Sequence, residues 1–304
     1  MTKTTADTAI QSRPAAYRLA ARWLSCIRFD EVAALQATPL IGAVFSVGTL
    51  SVTNVLALAI LMAANVCLVA HVFVLNDWSG IVGDLKDPAR ANRTFAAKGL
   101  TRTEAGYIAG LLLAISLVLF GLLNTRVVLF ATMIAGLSVL YSAPAFLWKG
   151  SPLLNSVLHF VGGSVHFLLG YSAFGAIDVR ALVVSGFFGL VFTAGHFTHE
   201  ARDHEVDRLN GIRTNAVAFG KARSFGAGLV LFILAYAFVA ALSVLRFVPP
   251  VLVFAAGLIP VHLYASVQAL RAGLTPESLR RLQRCYRVLF ATVGIVMTVS
   301  VVLS

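Results

Sequence analysis

The sequence predicts an all-α fold: a polytopic membrane bundle of nine transmembrane helices with a cytoplasmic N-terminus. Three observations carry this. Of 304 residues, 59% are hydrophobic and only 12% charged, about half the charge of an ordinary soluble domain. Apolar stretches of about 20 residues, enough to cross the hydrocarbon core as a helix, recur along the whole chain. They are continuous rather than alternating, which excludes a membrane barrel. Finally, all of the 24 Lys and Arg except Arg126, Arg180 and Arg246 fall on one side of that pattern. The formal charge of +11 is therefore a topology signal that sets the inside face, and it does not point to nucleic acid.

Residues 1–30 form a cytoplasmic or interfacial segment, and 31–304 a single transmembrane domain. The segment lacks the compact apolar core and cleavage site of a signal peptide. Within it, 14–28 reads as an interfacial amphipathic helix, with Arg18, Arg22 and Arg28 among Tyr17, Leu19, Trp23, Leu24 and Ile27. The spans follow at 31–50, 54–76, 104–123, 127–147, 153–174, 181–200, 224–245, 248–270 and 285–303. An odd number of spans puts Ser304 outside. Outside connections are short; the inside ones, at 77–103, 148–152, 201–223 and 271–284, are longer and polar, so function concentrates there. Asn76 and Asp203 occupy equivalent settings 127 residues apart, a hint of two halves plus a ninth helix. Cys26, Cys67 and Cys285 form no CxxC pair and read as reduced or buried thiols.

The first inside loop begins Asn76-Asp77-Trp78-Ser79-Gly80 and runs through Asp84 to Asp87-Pro88. If it continues the second helix, Asn76, Gly80 and Asp84 share one face at i, i+4, i+8. Hard oxygen donors at a helix end suit Mg²⁺, which takes one or two carboxylates together with water and substrate phosphates. Arg90, Arg93 and Lys98 behind them suit phosphate oxygens. In the second loop Asp203 and Asp207 are i, i+4, with Glu200 and His196 toward the membrane. Like charges at that spacing repel on a bare helix. A divalent cation relieves the repulsion; Arg202 and Arg208 neutralising a charged helix end is the other reading. Two acidic clusters with basic residues beside an apolar bundle suit the ionisation of an allylic diphosphate: cations stabilise the leaving group, and the bundle keeps water from the carbocation.

The ordered set of motifs, over about 28–220, resembles the UbiA superfamily of intramembrane prenyltransferases. That family's N-D-x-x-D-x-x-x-D is matched at Asn76, Asp77 and Asp84, with Gly80 at the middle Asp. Asp87-Pro88 through Arg93 and Gly99 resemble its basic stretch, with Thr94 in place of a proline. Arg202-Asp203-His204-Glu205-Val206-Asp207, then Gly211, Arg213-Thr214 and Gly220, resemble its second motif. Tyr141-Ser142-Ala143-Pro144 with Lys149 is similar to its Tyr…Lys segment. The resemblance implies that Asn76 and Asp84, with Asp77 a neighbour, belong to a first metal–diphosphate site and that Asp203 and Asp207 hold a second Mg²⁺. It further implies that Lys149, Arg93 and Arg213 contact the diphosphate and that Tyr141 lies near the reacting carbon.

The expected activity is Mg²⁺-dependent transfer of a polyprenyl group from an isoprenyl diphosphate to an aromatic or other small or lipid acceptor. The expected place is the cell (inner) membrane, with the active site facing the cytoplasm. Some superfamily members cyclise their isoprenoid without an acceptor, and a secondary transporter is the reading from another class. A transporter would place its charges at the membrane centre; here they gather at one edge. His196, His199 and Glu200 border the acceptor pocket, where one of them acts as a base. His-x-x-His-Glu is not His-Glu-x-x-His and lacks a third metal ligand at recognisable spacing. His262 reads as structural.

Overall fold

The computed structural model describes residues 21–49, 51–86, 91–92 and 94–303, and these residues contain helices and no strands. Two short helices, α1 (Phe29–Ala34) and α2 (Ala37–Val44), precede the long α3 (Val52–Asp84). Then come α4 (Arg102–Gly121), α5 (Thr125–Ser142), α6 (Leu154–Ser172) and α7 (Val179–Leu209). After the short α8 (Asn215–Phe219) come α9 (Lys221–Val244), α10 (Ile259–Arg271) and α11 (Pro276–Val302). Three 3₁₀ segments, Ala96–Lys98, Trp148–Gly150 and Pro250–Leu258, join them. The chain is a multi-pass membrane protein. Seven helical segments among the described residues are long and apolar enough to cross a bilayer: α3, α4, α5, α7, α9, the Pro250–Arg271 pair, and α11.

Two of the nine expected spans differ from that description. Over 31–50 the chain breaks between α1 and α2 at Leu35–Gln36. Pro39 has no N–H to return to the carbonyl four residues earlier, and its ring collides with that carbonyl. The segment 153–174 is helical as α6 but is not among the seven. Asn155, His159 and His166 dilute its apolar character, and it lies enclosed between α5, α7 and α2. The span at 248–270 starts as a 3₁₀ segment and turns α-helical at Ile259, just before Pro260. The two motif-bearing loops also start later than expected, because α3 and α7 continue to Asp84 and Leu209. Of the interfacial helix expected over 14–28, residues 14–20 lie outside the described residues; 21–24 are helical and the chain turns at 25–27 before α1.

Helix starts match local chemistry. The Ser51 hydroxyl accepts from Asn54 N–H at the head of α3, and Asp178 accepts from Ala181 N–H at the head of α7. Thr101 and Glu104 form a reciprocal capping box on α4. α7 stops where Gly211 takes φ +69, the left-handed residue that ends many helices.

Apolar contact with lipid tails costs nothing to leave, so membrane helices associate through close packing and small residues. α2 crosses α6 in this way: a Cβ on Gly42 would overlap the Phe167 carbonyl, and one on Gly170 the Pro39 carbonyl. At the α6–α7 crossing a Cβ on Gly163 would lie 2.8 Å from Phe188 O, and one on Gly189 2.8 Å from Phe160 O. Around these crossings Ile41, Phe167, Val184, Val239 and Met297 form one apolar cluster, and Leu61, Leu68, Phe120, Val127 and Leu169 another.

The α2–α6 crossing makes a prediction. Gly170→Ala forces backbone against backbone and should destabilise by about 1–3 kcal/mol, whereas Gly110→Ala on α4, where nothing lies within 4 Å, should be neutral or stabilising. Thermal unfolding in detergent measures both; equal melting temperatures would show that the crossing tolerates separation.

Candidate functional site

The acidic motifs lie at the ends of the two longest helices, α3 and α7, and those ends meet. The Asn210 side chain, one residue past α7, lies 3.1 Å from where a Cβ on Gly83 of α3 would stand. Between them sits the turn bearing Lys149. The ends of the Asp84 and Lys149 side chains both approach Gly80, at 3.7 and 3.9 Å from a Cβ built there. Gly150 in the same turn packs toward the Arg213 backbone, 3.7 Å from its own Cβ position. Asn76, Asp84, Lys149 and the start of the Arg213-Thr214 segment are thus gathered at one end of the bundle.

The Lys149 turn is held in an unusual conformation. Leu147 and Leu153, which bracket it, have φ of +48 and +64, a region bulky L-residues rarely occupy. Such strain persists only where surroundings over-determine it. Here the Leu153 N–H donates to Asn215 Oδ1 at 2.7 Å, and Asn155 Nδ2 donates to the Lys149 carbonyl at 3.0 Å.

Both asparagines serve Glu200, a carboxylate 3% exposed. Asn155 Nδ2 donates to Glu200 Oε1 at 2.6 Å and Asn215 Nδ2 to Oε2 at 3.0 Å. His196 Nε2 lies 3.1 Å from Glu200 Oε1, off the line of a good hydrogen bond. The His196 ring stacks on His159 with centroids 3.6 Å apart, and Tyr141 meets His159 edge-on at 5.2 Å. Tyr141, His159 and His199 remain partly accessible while lying deep in the bundle. Ser142 ties this group to α3: its hydroxyl donates to Asn76 Oδ1 at 3.3 Å, and its carbonyl accepts from Ser79.

The remaining expected site residues fall as follows. Asp77 is engaged by Arg28, whose Nε donates to Oδ2 at 3.2 Å. The residues around this pair are Cys26, Val74, Phe95 and Lys98. Asp203 is held bidentately by Arg202 at 2.8 and 3.0 Å, and Arg202 reaches Gln283 of α11. Arg208 pairs with Glu205. Asp207 is on the last turn of α7 and Arg213 is exposed just beyond it. Arg90 and Arg93 lie outside the described residues. His166 bonds Asn65, and His262 sits 3.3 Å from Tyr236 OH; both are inside the bundle, away from this end.

No group of three His, Cys, Asp or Glu side chains converges on a metal position among the described residues. The donor set is nonetheless hard oxygen: Asp84 and the Asn76 amide on α3, Asp203 and Asp207 on α7. One or two carboxylates per ion fit Mg²⁺ that completes its octahedron with water and substrate phosphate rather than with protein alone.

Sequence reasoning missed Asn155, Asn215 and the partnership of Arg28 with Asp77; His159 is a functional candidate from sequence because it is an ionisable residue inside a span. A signal was present for Asn155, a polar side chain inside an apolar stretch.

Comparison with known proteins places the chain in a family and agrees with its fold. The model of the UbiA prenyltransferase family matches residues 36–288. A lycopene elongase/hydratase of Haloferax volcanii is 39% identical over 93 residues, a stretch covering 29% of this chain and 29% of that protein. In structure, an apo UbiA homologue from Aeropyrum pernix K1 superimposes with a TM-score of 0.72 at 18% identity, covering 89% of this chain and 98% of the homologue. A UbiA homologue from Archaeoglobus fulgidus bound to GPP and Mg²⁺ gives 0.69 at 17% identity, covering 91% and 99%. At such identities the structural likeness speaks for the fold.

The Glu200 network yields a prediction. Gln at position 200 sets an amide N–H₂ against the Asn155 and Asn215 donors. Glu200→Gln should therefore lower stability by about 1–3 kcal/mol, read as a fall in melting temperature. A variant as stable as the parent would show that the carboxylate does not organise these helices.

Proposed function

The chain belongs to the UbiA prenyltransferase family, whose members are intramembrane prenyltransferases, and we propose that it transfers a polyprenyl group from an isoprenyl diphosphate to an acceptor held in the bundle. The observation that carries this reading is the meeting of the α3 and α7 ends over the Lys149 turn, with an apolar bundle beneath. From the distribution of basic residues, this end faces the cytoplasm across the cell membrane.

The diphosphate lies at the polar end and the isoprenoid tail runs inward among apolar side chains. As the allylic C–O bond breaks, the electron pair leaves with the diphosphate oxygen. The Lys149 ammonium, fixed by its strained turn, stabilises that charge without having to reorganise. Mg²⁺ bound by Asp203 and Asp207 would neutralise further charge on the leaving group. The face of Tyr141 and the stacked His159–His196 pair border the carbocation. An acceptor that attacks it loses one proton, and His196, backed by Glu200, is placed to take it. The surrounding apolar side chains keep water from quenching the cation.

The Haloferax relative is named for a reaction on lycopene, a hydrocarbon. That name favours a lipid acceptor over a charged, water-soluble one.

Asp203→Asn and Asp207→Asn should each lower turnover by at least about 100-fold, the scale of losing a stabiliser of transition-state charge, with melting behaviour retained. EDTA should abolish prenyl transfer and Mg²⁺ restore it. Radiolabelled geranyl diphosphate and a lipid extract supply the assay. Turnover that is unchanged in both variants removes the proposed role of α7.

A further inference from the structure

Three polar side chains form a hydrogen-bonded chain across the apolar interior, well below the acidic helix ends, and its polarity is fixed from one end. Gln36, at the break between α1 and α2, donates from Nε2 to the Val32 carbonyl at 2.9 Å. A carbonyl only accepts, so Gln36 Oε1 faces the other way and accepts from Asn65 Nδ2 of α3 at 2.8 Å. Asn65 thereby turns Oδ1 to His166 Nε2 of α6, also at 2.8 Å. This oxygen too only accepts, so Nε2 carries the proton. A neutral imidazole has one donor and one acceptor. The acceptor is therefore Nδ1, and it has no partner among the described residues.

Asn65 is fully buried and His166 is 5% exposed. Its Nδ1 is nonetheless not sealed by packing, as the Nε2 atoms of His71 and His262 are. Helix geometry gives its direction. His166 lies two turns beyond His159 on the same face of α6, and His159 meets Tyr141 and His196. On α7, Phe192 meets the His166 ring nearly edge-on at 6.3 Å and stands one turn before His196. At 1.5 Å per residue the two layers are about 10 Å apart. A polar atom in apolar surroundings costs free energy unless it is hydrogen-bonded. Joining α3 to α6 uses only the Nε2 donor; the lone pair on Nδ1 is surplus to that task.

We propose that His166 Nδ1 recognises a hydroxyl group on the lipid acceptor, set about 10 Å from the carbon that receives the prenyl group. The acceptor class is then a lipid alcohol, which donates one hydrogen bond to Nδ1 and otherwise meets apolar side chains. The bonds from Val32 through Gln36 and Asn65 hold the imidazole in the tautomer that accepts. The inference rests on the prenyl-transfer reading above.

A pair of matched ligands tests it without reference to turnover. Detergent-purified protein is loaded with the thiolo analogue of geranyl diphosphate, which is not ionised, and titrated with geranylgeraniol or with its O-methyl ether. The ether keeps the chain and the oxygen but has no O–H. The wild type should bind the alcohol about tenfold more tightly, the scale of one hydrogen bond to an otherwise unpaired group. His166→Phe, which keeps a ring and loses the acceptor, should bind the two equally. His166→Gln, whose amide both donates and accepts, should retain the preference. The nitrogen NMR signal of His166 Nδ1, assigned by its loss in His166→Gln, should move on adding the alcohol and stay in place with the ether. Equal affinities in the wild type overturn the inference, as does an Nδ1 signal that the alcohol leaves unmoved. A preference that survives in folded His166→Phe overturns it too. Alcohol selectivity in a protein that takes up no diphosphate analogue would support the hydroxyl site and overturn the prenyl-transfer reading.

Discussion

The buried Glu200 carboxylate is the constraint on which the rest of the site depends. A charge taken out of water is tolerated only when paired and hydrogen-bonded. Its partners here, Asn155, Asn215 and His196, come from α6, the start of α8, and α7 itself. Satisfying one carboxylate thus fixes three segments against one another. The same two asparagines then reach onward, Asn155 to the Lys149 carbonyl and Asn215 to the Leu153 N–H. The position of the lysine is in this sense a consequence of the position of the glutamate, through bonds that contain no metal and no substrate.

The glycine crossings do the complementary work. Because α2, α6 and α7 approach almost backbone to backbone at Gly42, Gly170, Gly163 and Gly189, the polar hub is enclosed without a sheath of large side chains. The long helices α3 and α7 are then free to run past the packed region and present their last two turns at the polar end. This division explains how one bundle contains both an apolar chamber and a charged rim. The carboxylates of the two acidic motifs sit at helix ends, where water and substrate reach them, and the buried Glu200 charge is held by the asparagines around it.

Most of the fold was legible in the sequence because continuous apolar runs are a strong signal. The structure departs from the expected spans at Pro39, where a proline inside an apolar run breaks it; α6 forms the expected helix, with polar residues that serve a tertiary network. Helical spacing puts Asn76 and Asp84 on one face of α3 and Asp203 and Asp207 on one face of α7, and the structure brings the ends of those two helices together. Asp77 reads from sequence as flanking the Asn76–Asp84 face, and its partner Arg28, 49 residues away in sequence, is a pairing no local pattern shows. Asn215, about 60 residues from Asn155, was hidden for the same reason. The effect of Gly80 was visible as a missing carboxylate; that a lysine stands beside the vacancy required the fold.

The central claim is that the α3 end, the Lys149 turn and the α7 end together form one diphosphate site. The most direct measurement is an experimental structure of the protein with the thiolo analogue of geranyl diphosphate and Mn²⁺, using the anomalous signal of the ion. The account predicts diphosphate density against Lys149 Nζ, with manganese beside Asp203 and Asp207 and the isoprenoid tail running toward Tyr141 and His159. Diphosphate bound instead at the basic pocket formed by Arg28 and Lys98, with no ion near α7, would contradict it.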